Sequence, residues 1–322
     1  MAEWLVERGI GETRAALVDD GEIVEARIEL DGTFPSGSIL KARLVNVGID
    51  GSNAVAVAEG GGEYLLPRGA SGMTQGASLR IEVARSAIPG AESWKRPLAR
   101  VTDKAPAPIM PLAERLEARA IVFPAQRDPL GEAGWDGVID QARSGIVTFA
   151  GGALRISPTP AMTLIDVDGY LPPNELAALG AGEAAQAIRR LDLGGSIGID
   201  LPTARSKAAR QRAAEVIDAV LPQPFERTSV NGFGFVQVVR PRIRASLIEL
   251  TRDRALFEAR ALLRQAAFAG PGPKRLVGHP AVVAALGEHP EWLGALGRQV
   301  GGPVGLRGDP NLPMSGGYAE NA

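Results

Sequence analysis

From its first residues the chain alternates apolar and polar positions with a period of two, the pattern of half-buried strands. EWLVER reads as one strand, and TRAALVDDGEIVEARIEL as two more folded about Asp19-Asp20-Gly21, an acidic, Gly-containing hairpin signal. Residues 35–103 carry a denser rhythm of the same kind. SILKARLVNVG, NAVAVAE, EYLLP, ASLRIEV and RPLARVT are strand-like, separated by GIDGS, GGG, RGASGMTQG and SAIPGAESWK. Five short strands with Gly-rich turns fit a small closed barrel of the OB type better than a sandwich.

The pattern then changes. KAPAPIMP is a Pro/Ala connector, LAERLEARAIVF a short helix running into a strand, and AQRDPLGEAG a turn-rich loop. From Trp135 helical and strand periods alternate. WDGVIDQARSG predicts a helix, and GIVTFAGGALRISPTPAMTLIDVDG two or three strands. NELAALGAGEAAQAIRRLDLGG predicts a helix closed by a Gly pair, SIGID a strand, SKAARQRAAEVIDAVL an amphipathic helix and GFGFVQVVRPRIRASL another strand. Such alternation around one apolar centre is an α/β layer of nuclease-like or hydrolase-like kind. RALFEARALLRQAAFAG is a basic amphipathic helix, PGPKRLVG a Pro/Gly break, and the remainder a compact Ala/Leu/Gly-rich tail.

Composition narrows the chemistry. With 322 residues, 45% hydrophobic and 22% charged, the chain has globular composition and room for two or three domains. Aromatics are only 5%, so the cores are expected from Ala, Val, Leu and Ile. Cysteine is absent, which excludes disulfides, thiol nucleophiles, Cys-ligated zinc and iron–sulfur clusters. His279 and His289 lie far along the chain from the acidic strands and no GxSxG occurs, which argues against a serine-hydrolase triad. A formal net charge of −2 leaves polyanion binding to local basic patches. MAEWLVERGIGETR does not read as a signal peptide and no long apolar run occurs, so no membrane association and a cytoplasmic address are expected.

The most informative run is LIDVDG. In a strand, side chains two apart share a face, so Asp166 and Asp168 point together while Ile165 and Val167 point inward. SIGID ends in a further carboxylate, Asp200. If these strands are neighbours, the three aspartates converge at one rim, where an oxygen-only set suits Mg²⁺. The same spacing also fits aspartates that merely end buried strands or cap helices. Basic residues lie close by in sequence. Arg205, Lys207, Arg210 and Arg212 open the helix after Asp200, and Arg240, Arg242 and Arg244 alternate along VVRPRIR as a ladder of guanidinium groups suited to phosphate. Each cluster taken alone also fits a solvated face.

GGALRISPTPAMTLIDVDG, AIRRLDLGGSIGID, RQRAAEVIDAV and NGFGFVQVVRPRIRASL resemble, in order and spacing, the catalytic core of the RNase E/G endoribonucleases. That family runs from a Gly-Gly strand into an IDVN-type strand, then R-x-x-DLGG-x-I-x-ID, a helix containing QR, and a GL-x-E-M-x-R-x-R strand. TRAALVDDGEIVEARIE resembles the family's opening hairpin, residues 35–103 its S-one-type OB-fold, and GGPVGLRGDPNL, more weakly, its small C-terminal domain. The resemblance implies a mixed α+β fold. An N-terminal hairpin (1–34) packs on an RNase H-like part, and an OB-fold (35–103) is inserted there. A connector or RNase H-like remnant (104–134), an α/β, DNase I-like catalytic core (135–250) and a helix with a small C-terminal α/β domain (251–322) follow. It further implies Mg²⁺-dependent cleavage of single-stranded RNA, leaving a 5′-phosphate and a 3′-hydroxyl. Asp166 and Asp200 match the carboxylates that hold Mg²⁺, Asp168 matches an Asn that helps organise the metal-bound water, and Lys95 sits where the OB-fold offers a basic RNA contact.

The chain departs from the family in several places. Asp168 replaces Asn, and LPTAR follows Asp200 where the family has a second acidic residue. Val55 and Leu65 occupy positions of stacking aromatics. The connector is too short for the family's 5′-end sensor, and without cysteine the zinc link between subunits is absent, leaving the oligomeric state open. These departures keep a second expectation alive: an RNA-binding protein that retains the nuclease scaffold with weak or no catalysis.

Overall fold

The computed structural model describes residues 1–48, 53–89, 96–122 and 127–322, which form two compact units. The first gathers Met1–Asp31, Pro111–Ile139 and Leu250–Ala322. Strands β1 (Glu3–Arg8), β2 (Glu12–Asp19) and β3 (Glu22–Leu30) form an antiparallel meander. Its second turn has φ 49° at Asp20 and 84° at Gly21, the left-handed pair of a type I′ hairpin. A short strand, β9 (Arg119–Ile121), runs parallel to β1 and completes a four-stranded sheet ordered β3-β2-β1-β9. Leu112 of α1 (Leu112–Arg115) is buried with Val6 and Ala15, and α2 (Pro129–Glu132) is capped by Asp128.

The C-terminal part of this unit holds α7 (Arg254–Phe268), β16 (Lys274–Gly278), α8 (Pro280–Gly287), α9 (Pro290–Val300), β17 (Val304–Gly308) and β18 (Tyr318–Asn321). The PGPKRLVG run is therefore more than a break. Its Lys274–Gly278 segment is the central strand of a sheet ordered β17-β16-β18, and Leu276 joins Leu262, Leu263, Leu286 and Leu296 in one core.

A buried ion network ties the N-terminal strands to α7. Arg14 donates to Glu7 at 2.8 Å and lies 2.6 Å from Glu12; Arg260 donates to Glu12 at 2.8 Å. Arg264 donates to Glu7 at 2.9 Å and to Asp128 at 2.5 Å. Glu7 is 0% and Arg14 2% exposed, so each charge depends on its partners rather than on water. Three carboxylates meet three guanidinium groups, and this matching offsets a desolvation cost of several kcal/mol per ion. Parts of the segments read separately as 1–34, 104–134 and 251–322 thus share one unit.

The second unit, Gly32–Met110 with Asp140–Glu249, holds the barrel and the α/β layer. Strands β4 (Ile39–Asn46), β5 (Ala54–Ala58), β6 (Glu63–Leu66), β7 (Ser78–Arg85) and β8 (Leu98–Val101) close in the order β4-β5-β6-β8-β7. β6 runs parallel to β8, and β7 returns to β4, an OB-like closure. Small side chains (Ala42, Ala54, Ala56, Ala58, Ala99) let the narrow interior close around Leu44, Leu66 and Ile81.

After α3 (Trp135–Ser144) come β10 (Ile146–Phe149), β11 (Gly152–Pro158), β12 (Thr163–Gly169), α4 (Pro173–Arg190), β13 (Gly195–Asp200), α5 (Lys207–Val220), β14 (Glu226–Arg227), β15 (Phe235–Arg240) and α6 (Leu247–Leu250). The sheet is ordered β10-β11-β12-β13-β15-β14; β12 and β13 are parallel, joined through α4, and the other pairs antiparallel. Ile165, Val167, Ile197, Ile199, Val236 and Val238 are buried on one face. Helix α4 approaches that face closely, since a Cβ at Gly180 would lie 2.3 Å from Val167 Cγ1. That contact fixes the strand segment between Asp166 and Asp168. The strand read over GFGFVQVVRPRIRASL is shorter than expected. It begins at Phe235 and ends at Arg240, where Pro241 has no amide hydrogen to continue the ladder. No helix among the described residues is long and apolar enough to cross a membrane.

Candidate functional site

Asp166 of β12 and Asp200 of β13 are register partners on adjacent parallel strands. Arg155 of β11 is the partner of Asp166 on its other side, and Ala153 that of Asp168. Paired residues in a sheet share a face, so Arg155, Asp166 and Asp200 lie on the side opposite the buried Ile and Val residues, with Asp168 one pleat further on. Alternation in LIDVDG and SIGID makes this possible, because each aspartate follows an isoleucine or valine that is anchored in the core. All three aspartates are exposed.

The carboxyl of Asp166 is held above the ordinary aspartate range. Partial desolvation is the largest cause, followed by the negative charges of Asp168 and Asp200; Arg155 works against the shift. Arg155 Nε lies 3.9 Å from Asp168 Oδ2, an exposed and weak pairing that leaves most of the negative charge uncompensated.

Among the described residues, no group of three or more His, Asp or Glu side chains is arranged to hold a metal ion. Mg²⁺ does not require such a cage, since it is commonly bound through one or two carboxylates while keeping several waters. The Asp166–Asp200 pair has that donor chemistry: oxygen only, exposed, and carrying a mutual repulsion that a cation relieves.

The basic residues divide into two kinds. Arg205 and Lys207 are exposed at the start of α5, which the chain reaches shortly after leaving β13 at Asp200. Arg212 is also exposed and lines a groove between α4 and α5 with Glu183 and Leu179. Arg210 instead donates to the Ala204 carbonyl at 2.9 Å and braces the preceding loop. The expected ladder of Arg240, Arg242 and Arg244 does not form. Arg240 donates to the Leu193 carbonyl at 3.1 Å, Arg242 pairs with Glu249, and Arg244 makes a two-pronged pair with Asp192. With Pro241 ending the strand, these side chains brace the loop that follows β15, and Ser86 after β7 donates to Ile243 within that loop at 3.1 Å. Lys95 lies outside the described residues.

Three side chains near the carboxylates were not singled out by sequence. Arg155 could have been found by counting back from the β11–β12 turn, because it faces Asp166 across the hairpin. Tyr170 and Phe233 carried no periodic signal; both stand in loops where the sheet ends. In the barrel, Val55 and Leu65 are register partners on β5 and β6, forming an aliphatic cross-strand pair. Compared with family models and with curated protein sequences, the chain matches none.

Proposed function

We propose that the protein is a Mg²⁺-dependent endoribonuclease of the RNase E/G kind, cutting single-stranded RNA. In this reading the four-stranded sheet with its flanking elements is the RNase H-like part, the six-stranded layer is the DNase I-like catalytic part, and the barrel grips the RNA. The observation that carries the proposal is the in-register Asp166–Asp200 pair with Asp168 on the same face.

Asp166 and Asp200 would hold the cation. When bound there, Mg²⁺ supplies charge neutralisation at a phosphate oxygen and a lowered pKa for water. Asp168 accepts a hydrogen bond from the attacking water and orients it, a task for which the family uses an amide. Arg155 limits the local negative charge that an incoming phosphate meets. Arg205 and Lys207, exposed beside this end of the sheet, attract the RNA backbone. Hydrolysis on this plan leaves a 5′-phosphate and a 3′-hydroxyl. The test is incubation with unstructured RNA and Mg²⁺ followed by end-group analysis. Products with 5′-phosphates support the proposal, and 5′-hydroxyl products or intact RNA contradict it.

One observation favours a second reading, RNA binding without efficient catalysis. Only two carboxylates are in direct register, with Asp168 drawn toward Arg155. Under that reading RNA is retained in a gel shift, with salt-dependent affinity, and stays intact with Mg²⁺ or Mn²⁺.

A further inference from the structure

We propose that Tyr170 and Phe233 are stacking platforms for the unpaired nucleobases on either side of the carboxylate pair; this rests on the reading of single-stranded RNA as substrate. The two rings are 84% and 83% exposed, whereas Tyr318, another exposed aromatic, is at 38%. A single exposed apolar side chain is ordinary. Two rings held almost entirely in water at the edge of one candidate site require more explanation.

Their placement follows from the topology. Tyr170 comes directly after Gly169, the last residue of β12, and two positions past Asp168. Phe233 comes two positions before Phe235, the first residue of β15 and the register partner of Asp200. Strand β13, which ends in Asp200, lies between β12 and β15. The two rings therefore belong to loops flanking Asp200, on strands that lie two inter-strand spacings of about 5 Å each apart.

Both rings stand on pinned backbone. The Tyr170 amide donates to the Gly151 carbonyl at 3.1 Å, and α4 begins at Pro173. The Phe233 amide donates to Asn231 Oδ1 at 2.9 Å, and its carbonyl accepts from Thr203 Oγ1 at 3.2 Å. Gly234 follows with φ +97°, and a Cβ there would lie 2.1 Å from the Leu201 carbonyl oxygen, so only glycine permits this turn. These bonds and the glycine turn restrain the backbone at both rings, and such restraint reduces the entropy lost on binding.

The surroundings select nucleobases over a protein partner. Tyr170 is followed by Leu171, Pro172 and Pro173 before exposed Asn174 and Glu175, and Phe233 stands between Gly232 and Gly234; neither loop holds a second large, fully exposed apolar side chain. A protein interface needs a contiguous apolar core, whereas a base needs one flat π face beside a phosphate site. The described barrel strands offer no alternative platform: their one aromatic, Tyr64, is buried in the barrel core.

The test measures binding of the full chain to a short unstructured RNA in EDTA, and to the same oligomer with abasic positions. Wild type is compared with Tyr170→Ala, Phe233→Ala and Phe233→Tyr; substitution of such exposed side chains spares the core. Each alanine variant is expected to bind the normal RNA about 5- to 150-fold more weakly. Phe233→Tyr should keep wild-type affinity, and the abasic oligomer should not distinguish the proteins. Equal affinity of wild type and alanine variants for normal RNA overturns the platforms while leaving the nuclease reading standing. An equal loss on the abasic oligomer also overturns them, as does a change in self-association with RNA affinity intact. Failure of wild type to bind any RNA removes both proposals.

Discussion

Asp166 and Asp200 leave neighbouring parallel strands at the same register position, so two carboxylates face solvent side by side with a third, Asp168, on the same face. Folding brings these charges together, and the fold bears that repulsion at neutral pH. Local conflicts of this kind are expected at functional or strained sites.

Asp166→Asn should therefore stabilise the protein. Because the folded-state pKa of Asp166 is raised, the unfolded chain loses this proton first as pH rises, and the fold loses stability across that range. Thermal melts should show a higher Tm for the variant at neutral pH. The difference should shrink to nothing well below 3.8, where the carboxyl is protonated in both states.

Mg²⁺ should reverse the same penalty. At neutral pH it should raise the Tm of wild type, with a stabilisation of about 1.4 kcal/mol when the ion is at ten times its Kd. Asp166→Asn/Asp200→Asn should show no such shift. This readout requires no RNA.

The buried network makes a separate prediction about stability. Arg14→Met leaves Glu7 without one of its two guanidinium partners, and Glu12 likewise, and should cost about 3–5 kcal/mol in urea denaturation. Burial works to raise the Asp128 carboxyl, but Arg264 and the Gly131 amide prevail and hold it below its usual value. Its stabilising contribution is present above that usual value and is lost as pH falls through the lowered one. Asp128→Asn should accordingly flatten the acid limb of the stability profile.

The arginines after β15 should behave as braces. Arg244→Ala strands Asp192 and should cost about 1–3 kcal/mol of stability, with little change in the salt dependence of RNA binding. Arg205→Ala and Lys207→Ala should do the reverse, each lowering the salt slope of binding by roughly one with Tm unchanged.

Strands and helices with a strong period were legible in the sequence. The barrel strands, β12, β13 and α5 were all expected where they occur, because alternation or an Ala/Leu face marks each one locally; α4 begins as expected but ends at Arg190 with Leu191 as its cap, and the Gly pair expected to close it leads into β13 instead. The adjacency of Asp166 and Asp200 was an inference from two separate runs, and strand register supplied the connection. Long-range pairing was not legible. Arg14 and Arg260 look like surface charges in sequence, and only the packing of α7 on the first strands makes them core residues. Arg242 and Arg244 were misread because alternation was followed through Pro241, which ends the ladder. Tyr170 and Phe233 have no periodicity to read, since their significance lies in exposure at the end of a sheet.

The most direct measurement is the rate of cleavage of an unstructured RNA by wild type and by Asp166→Asn/Asp200→Asn, in Mg²⁺ and at matched protein concentration. Wild type should cut in a Mg²⁺-dependent way and the double variant not above background, with the variant still folded by circular dichroism. Equal cleavage by the two proteins would contradict the role of the two carboxylates.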